Sequence, residues 1–315
     1  MSPLNAADPQ KLFIYRFDHP AQELSQFLQD RYQLKGDVLV EALERRITVN
    51  GSRPAPGFEV QTGDQIEFLH LRSDEAAFEG TPLPLLYEDE DLLAISKPAN
   101  LPVSPSGRYY FHSLAILARE RFDEPDLSPL HRLDLETSGV LLFGRNRRAR
   151  SKVQQLFAKQ DMDKTYEAIT LAPVALGPIS GDMIPAEGSK IYSKQVLIPS
   201  RKPLSLSIVE ACEPWGPYFK VQIKPVTGKT NQLRVHLAAK GAPILGDKKY
   251  HPDESVYLEW FENRNIQALL DRLVLPRQAL HCARLAFNNP LTGNYLEIND
   301  HSPGWPALIN PLKDL

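Results

Sequence analysis

His131-Arg132-Leu133-Asp134-Leu135-Glu136-Thr137-Ser138-Gly139, followed by Val140-Leu141-Leu142-Phe143, decides how the rest of the chain is read. One carboxylate sits in a polar turn between two cationic or cationisable side chains. The turn feeds a run of bulky apolar residues. Such a run reads as a buried strand, and loops anchored on a rigid sheet are where catalytic groups concentrate. Taken alone, the stretch favours a plainer reading, in which Asp134 and Thr137 hydrogen-bond their own backbone.

Around this stretch the chain falls into β-rich runs separated by a few helices. From Leu85 onward the helical spacing predicts helices over 114–122, 148–160, 230–240 and 265–273. Irregular alternation of this kind implies an α+β fold: a mixed, mostly antiparallel sheet with peripheral helices rather than regular βαβ units. Upstream, Leu24, Phe27, Leu28 and Tyr32 have helical spacing, Lys35-Gly36-Asp37 breaks the helix, and Val38, Leu39, Ala42 and Leu43 continue a second. Ile47-Thr48-Val49 reads as a strand, Asn50-Gly51 as a hairpin turn and 63–68 as a turn with a returning strand. The acidic segment 71–84, with Gly80, Pro82 and Pro84, reads as linker. The expected organisation is a small α+β module over 1–72, a linker over 73–84 and a main domain over 85–315.

Composition narrows the class. The chain has 315 residues, 42% of them hydrophobic, enough for a buried core. No apolar stretch has membrane-spanning length, and MSPLNAADPQ lacks the basic and apolar regions of a secretory leader. Cys212 and Cys282 form no CxxC pair, so two buried thiols in a reducing cytoplasm are expected and a metal site is not. Net charge is −3, from 36 basic and 39 acidic side chains, an awkward total for binding a polyanion. The distribution is bipolar. Asp74, Glu75, Glu79, Glu88, Asp89, Glu90 and Asp91 crowd 73–91 without a base, whereas Arg145, Arg147, Arg148, Arg150, Lys152, Lys159 and Lys164 crowd 141–165 against Asp161 and Asp163. A second basic stretch, 220–250, carries Lys220, Lys224, Lys229, Arg234, Lys240, Lys248 and Lys249 against Asp247 alone. A basic cleft is compatible with a slightly negative molecule, although any one of these lysines is by default ordinary solvated surface.

The HRLDxxTSG stretch resembles the signature of the RluA-like RNA pseudouridine synthases. Further motifs stand in the same order: the strand 87–98 ending in Lys97-Pro98, Lys164-Thr165-Tyr166-Glu167-Ala168, Thr227-Gly228-Lys229-Thr230-Asn231-Gln232-Leu233-Arg234-Val235-His236, Gly241-Ala242-Pro243-Ile244-Leu245-Gly246-Asp247 and Leu280-His281-Cys282-Ala283-Arg284-Leu285. The likeness covers roughly 84–295. It implies a sheet split by a central catalytic cleft and the isomerisation of uridine to pseudouridine in structured RNA, ribosomal or transfer, with ribosomal RNA favoured. Two short helices, a strand, Val-Asn-Gly and Gly-Asp in the first 70 residues are similar to the α-L-type RNA-binding module that many such synthases carry. A monomer in the cytoplasm, with no cofactor, no metal and no membrane, is expected.

The resemblance also implies roles. Asp134 is the catalytic carboxylate, either adding covalently to sugar or base or stabilising a glycal-type intermediate. Arg234 pairs with it. Tyr166 stacks on the target base and takes part in proton transfer. Arg132 enters the helical stack when the uridine flips out, and His131 either touches phosphate or orients the turn. Leu233, Lys229 and Asn231 complete the expected substrate contacts. The family usually has His where Asn231 stands and commonly Arg where Lys229 stands, so contacts there are expected to differ. Two rival readings use the same residues: an RNA-binding protein without catalysis, and an N-glycosidic hydrolase using Asp134. Two decoys fail on spacing. Gly228-Lys229-Thr230 ends like a phosphate-binding loop but has Ile223 where that loop needs Gly. Asp134 and Glu136 are too close in sequence to serve as the opposed carboxylates of a glycosidase.

Overall fold

Residues 10–70, 75, 83–105 and 109–305 are described by the computed structural model. The chain divides into two units, one of 1–79 with 105–112 and one of 80–104 with 113–315.

The first unit contains β1 (Gln10–Arg16), β2 (Gln22–Glu23), α1 (Leu24–Tyr32), α2 (Gly36–Glu41), a π-helical turn (Ala42–Arg46), β3 (Ile47–Val49), β4 (Glu59–Val60) and β5 (Gln65–His70). Leu24, Phe27 and Leu28 share one face of α1 and pack on Phe17, Ile47, Val49, Val60 and Ile66. Asn50 and Gly51 both take positive φ, and Val49 and Ser52 exchange backbone hydrogen bonds across them. The chain then returns as β5, which pairs antiparallel with β3. The sheet has a third strand, β1, paired to the far edge of β5; no strand was expected there. The segment 105–112 is tied to this unit by Glu75, whose carboxylate accepts the backbone N–H groups of Tyr110, Phe111 and His112 at 2.6–2.8 Å. Apart from Glu75 and 83–84, the expected linker lies outside the described residues.

The second unit runs β6 (Leu85–Glu88), β7 (Leu92–Lys97), α3 (Leu114–Phe122), β8 (Ser128–Pro129), β9 (Ser138–Gly144), α4 (Arg147–Lys159), β10 (Asp163–Thr170), β11 (Gly177–Pro185), β12 (Gln195–Ile198), β13 (Ser205–Trp215), β14 (Tyr218–Pro225), α5 (Gln232–Ala239), α6 (Ser255–Asn263), α7 (Leu270–Leu273), β15 (Leu280–Asn288) and β16 (Tyr295–Asn299). These strands form one 11-stranded sheet with the path β12-β11-β13-β14-β10-β15-β9-β7-β6, to which β16 adds beside β15 and β8 beside β9. The fold is therefore mixed and mostly antiparallel. Among the described residues the β9–β15 pair alone is parallel, matching His281 to Ser138 and Cys282 to Gly139.

β9 is an interior strand of the sheet, between β15 and β7, and all seven of its residues are buried. That explains a run without polar alternation, because both faces are covered. Its entry point is tight. Gly139 has φ +114, and a Cβ there would meet the Cys282 carbonyl oxygen at 2.3 Å. Only glycine lets the 131–139 turn drop straight into the parallel junction.

Helices α3, α4 and α5 match the expected spans to within two residues. Gly241, at φ +72, closes α5, and its N–H donates to the Ala238 carbonyl. The expected helix over 265–273 is instead a 3-10 turn (Gln267–Leu269) running into the short α7. α6 was not anticipated. It packs on a satellite core of Val256, Leu269 and Leu273, with Trp260 and Ile266 against it, so only Val256 of the helix is buried. Of the two thiols, Cys282 is buried but Cys212 is only partly so.

Candidate active site

The turn between β8 and β9 projects over the middle strands of the sheet. It forms one wall of a cavity of about 300 Å³. The other walls are the end of α4 (Phe157, Gln160), β10 (Lys164, Tyr166) and the β14–α5 connection from Pro225 to Arg234. All eight residues expected at the site line this cavity: Asp134, Tyr166, Arg234, Arg132, His131, Leu233, Lys229 and Asn231.

Arg234 Nη1 donates to Asp134 Oδ2 at 3.3 Å. The same guanidinium is held more tightly from its other side. Nε and Nη2 donate to the two carboxylate oxygens of Asp247 at 2.6 and 2.8 Å, a bidentate geometry that fixes the plane of the group. Asp247 Oδ1 also accepts the backbone N–H groups of Lys249 and Tyr250, and the Tyr250 ring lies 5.1 Å from the guanidinium carbon. Burial works to raise the Asp247 carboxyl, but the Arg234 charge and hydrogen bonds outweigh it and hold the group below the usual range. Burial likewise works against the Arg234 charge, which Asp247 and Asp134 secure. The Asp247 side chain is 0% exposed and that of Asp134 is 24% exposed. One carboxylate is spent on structure while the other opens into the cavity.

Asn231 stands at the N-terminus of α5 with φ 59, a left-handed conformation that Asn adopts more readily than most residues. Its Oδ1 accepts from Arg234 Nη1 at 2.8 Å. Gln232 ties the same connection down. It accepts from Thr227 Oγ1 and the Lys229 N–H, and donates to Leu206 O and Ser207 Oγ. Leu233 is buried in the cavity wall, whereas Lys229 is exposed at the mouth.

Tyr166 faces Ile223 of β14 and Cys282 of β15 across the ladder, beside a bulge at Thr165. Burial, then the neighbouring Cys282 thiol, pushes its phenol well above the ordinary value, so it is a protonated hydroxyl in the neutral range. Arg132 is exposed at the rim, and among the described residues its guanidinium has no hydrogen-bond or ion-pair partner. His131 is engaged structurally. Its Nε2 accepts the Leu142 N–H at 3.1 Å and its ring stacks on Phe157 at 4.8 Å. Burial, aided by the Lys164 charge, lowers it to about 3, so the imidazole is neutral.

Beneath the turn lies a lysine whose role the motif order did not reveal. Lys97, fully buried, donates from Nζ to the carbonyl oxygens of Pro98, Leu135 and Thr137 at 2.8, 3.1 and 2.8 Å. Burial and the Arg277 charge lower it to about 7, against the opposing pull of Asp134. The turn has two further anchors. Glu136 Oε1 accepts from Lys248 Nζ at 2.6 Å and Oε2 from the Gln278 N–H at 3.1 Å, while Gln278 Nε2 donates to Thr137 Oγ1 at 2.7 Å. Asp247 and Lys248, adjacent in sequence, therefore hold Arg234 and the Asp134 turn at once. Gly246 makes this possible. At φ +76 a Cβ there would meet the Arg277 carbonyl oxygen at 2.0 Å.

The arrangement presents one partly exposed carboxylate, balanced by a fixed guanidinium, beside a protonated phenol in a cavity open to solvent.

Residues 91–239 match the family model described as RNA pseudouridylate synthase. A ribosomal large subunit pseudouridine synthase D of Vibrio cholerae is 29% identical over 83% of this chain and 80% of its own length. An uncharacterized RNA pseudouridine synthase of Synechocystis is 34% identical over 66% of the chain and 71% of its own. Among solved structures, human RNA Pseudouridylate Synthase Domain Containing 4 superimposes with a TM-score of 0.52 at 26% identity, covering 71% of this chain and 90% of that one.

Proposed function

The chain belongs to the RNA pseudouridine synthases, enzymes that isomerise uridine in RNA, and from that premise we propose that Asp134 carries the chemistry. The observation behind this is the Arg234–Asp134 pair at 3.3 Å, set in the cavity beside Tyr166. The uracil must leave the ribose, rotate and rejoin through carbon. Asp134 supplies a carboxylate at the reacting ring, whether it bonds to the sugar or base or stabilises a glycal after the base departs. Arg234 orients it and balances its charge. The Tyr166 ring is the platform against which the freed base turns, and its hydroxyl, being protonated, donates rather than accepts. Arg132 is placed to follow the flipped nucleotide out of the cavity mouth and fill its place in the stack.

Ribosomal RNA is the substrate we favour, since relatives of comparable length are named for the large ribosomal subunit. The 1–72 module, with its two short helices and three-stranded sheet, supports an RNA-binding role of the α-L type. The protein acts as a monomer in the cytoplasm without cofactor.

The test is tritium release from carbon 5 of labelled uridine in a large-subunit ribosomal RNA transcript. Wild-type protein releases tritium and Asp134→Asn does not, although it still binds the transcript. Tyr166→Phe keeps affinity and turns over more slowly in a single-turnover assay. Tritium release by Asp134→Asn at a wild-type rate ends the proposal.

A further inference from the structure

Helix α4 breaks the rules for a stable surface helix. Its sequence, RRARSKVQQLFAK, holds no acid. Arg147, Arg148 and Arg150 fill its first turn, where the positive end of the helix dipole disfavours cations. Arg148 and Lys152 stand at i and i+4, a repulsive spacing. Two of the neighbouring cations are satisfied. Arg145 pairs with Glu88 and Glu124, and Arg150 donates to the Asp126 carbonyl. The others are not: Arg147, Arg148, Lys152 and Lys159 are exposed and have no hydrogen bond or ion pair to the described residues. Arg148, Lys152, Gln155 and Lys159, at i, i+4, i+7 and i+11, lie on one face of the helix. This stripe is about 16 Å long at 1.5 Å per residue. Val153 and Ala149 hold the opposite side on the core. The stripe leads into the site, because Phe157 and Gln160 at the end of α4 line the cavity.

Local rules that fail without compensation mark functional surfaces. We propose that the outer face of α4 is a docking track for the phosphate backbone of the RNA strand flanking the target uridine. This rests on the synthase reading of the cavity and extends it to a surface outside the cavity. Charge complementarity and continuity with the cavity select a nucleic-acid strand over an acidic protein. An RNA bound this way follows α4 from Arg147 towards Gln160 and delivers its nucleotide past Phe157 to Asp134.

Stability and binding should respond to substitution with opposite signs. In full-length Arg147→Glu/Arg148→Glu, two acids replace two bases at the helix N-terminus, and the second of them gains Lys152 as an i+4 partner. The melting temperature should hold or rise. Binding to the ribosomal RNA transcript should weaken at least about ten-fold at 0.1 M salt, and the slope of log affinity against log salt should become shallower by about 2, one unit per lost phosphate contact. The same charge reversal at Arg201 and Lys202, on the exposed β12–β13 turn, controls for net charge and should change binding much less. An unchanged salt slope in the α4 variant, or an equal loss in the control, overturns the proposal. Tritium release by wild-type protein is read separately. Its absence would refute the synthase reading, and the binding comparison would still decide whether α4 is the track.

Discussion

The turn 131–139 and the loop 244–250 grip one guanidinium from two sides, and they are built differently. The loop places a fully buried carboxylate against Arg234 with two short bonds and adds two backbone donors to hold that carboxylate still. The turn offers a partly exposed carboxylate through one longer bond. A buried, fully bonded pair gives geometry and has no capacity left for a substrate. A half-open carboxylate keeps lone pairs free for one. Asp247 thus fixes Arg234, and Asp134 is left with a single longer bond to it.

This division of labour predicts unequal consequences of the same chemical change. Asp134→Asn should lower kcat by at least about a thousand-fold, the scale on which removing a nucleophile acts, with a melting temperature near wild type. Asp247→Asn should do the reverse in kind. Breaking a buried pair costs about 3–5 kcal/mol, read as a lower denaturant midpoint, and activity should fall about a hundred-fold but not vanish. Because the Asp247 carboxyl is held below its ordinary value of 3.8 in the folded chain, it contributes stability above that pH and loses it as the pH falls through its folded value. Wild-type protein should therefore lose more stability on acidification than Asp247→Asn. Equal stability and equal residual activity for the two variants would erase the distinction between the carboxylates.

Lys97 sharpens the contrast from below. Its ordinary value is 10.5 and burial lowers it to about 7. Between those limits the unfolded chain binds a proton that the folded chain does not, so this residue makes stability rise with pH from about 7 to 10.5. Urea unfolding across that range should show the gap between wild type and Lys97→Met widening upwards, and a constant gap would contradict the lowered value. The smallest effect belongs to Glu136→Gln. The amide keeps one acceptor oxygen for Lys248 or the Gln278 N–H but no longer opposes the lysine charge, a change of about 1 kcal/mol. That corresponds to about five-fold in kcat with KM unchanged. Glu136→Ala, which orphans both donors, should lose more.

Much of this was legible in residue order, for identifiable reasons. The β9 run announced itself because burial on both faces removes polar alternation. α5 was bounded because Gly241 is the residue that accepts the terminal left-handed turn. The expected cavity residues gather because they sit at the ends of neighbouring strands and one helix. What stayed hidden was long-range satisfaction of buried charge. A lysine at the end of an apolar strand reads as a solvent-facing terminus. Only the fold shows that the carbonyls of Leu135 and Thr137 converge on Lys97. Asp247 stood in a recognisable Gly-Asp pair, but nothing in its spacing tells that Arg234 is its partner. α6 escaped because its apolar residues face a small core of their own rather than the sheet, which leaves a helix with a single fully buried anchor. The grouping of 105–112 with the first unit depends on Glu75 meeting three N–H groups far along the chain, a contact that no periodicity encodes.

The position of β15 sets an order of events during synthesis. Residues 280–288 form the strand that separates β9 from β10, and among the described residues no hydrogen-bonded strand pairing joins β6–β9 to β10–β14 except through it. While a ribosome has yet to release those residues, Asp134 and Tyr166 belong to two unconnected pieces of sheet, each with an open edge. Until β15 is released, the nascent chain should therefore lack the sheet that joins the two walls of the cavity, and it should be exposed to strand-to-strand misassociation in the same interval. Ribosome-bound chains arrested before residue 280 should be cut readily by protease within β9 and β10. Chains arrested far enough beyond 288 to release that strand should resist.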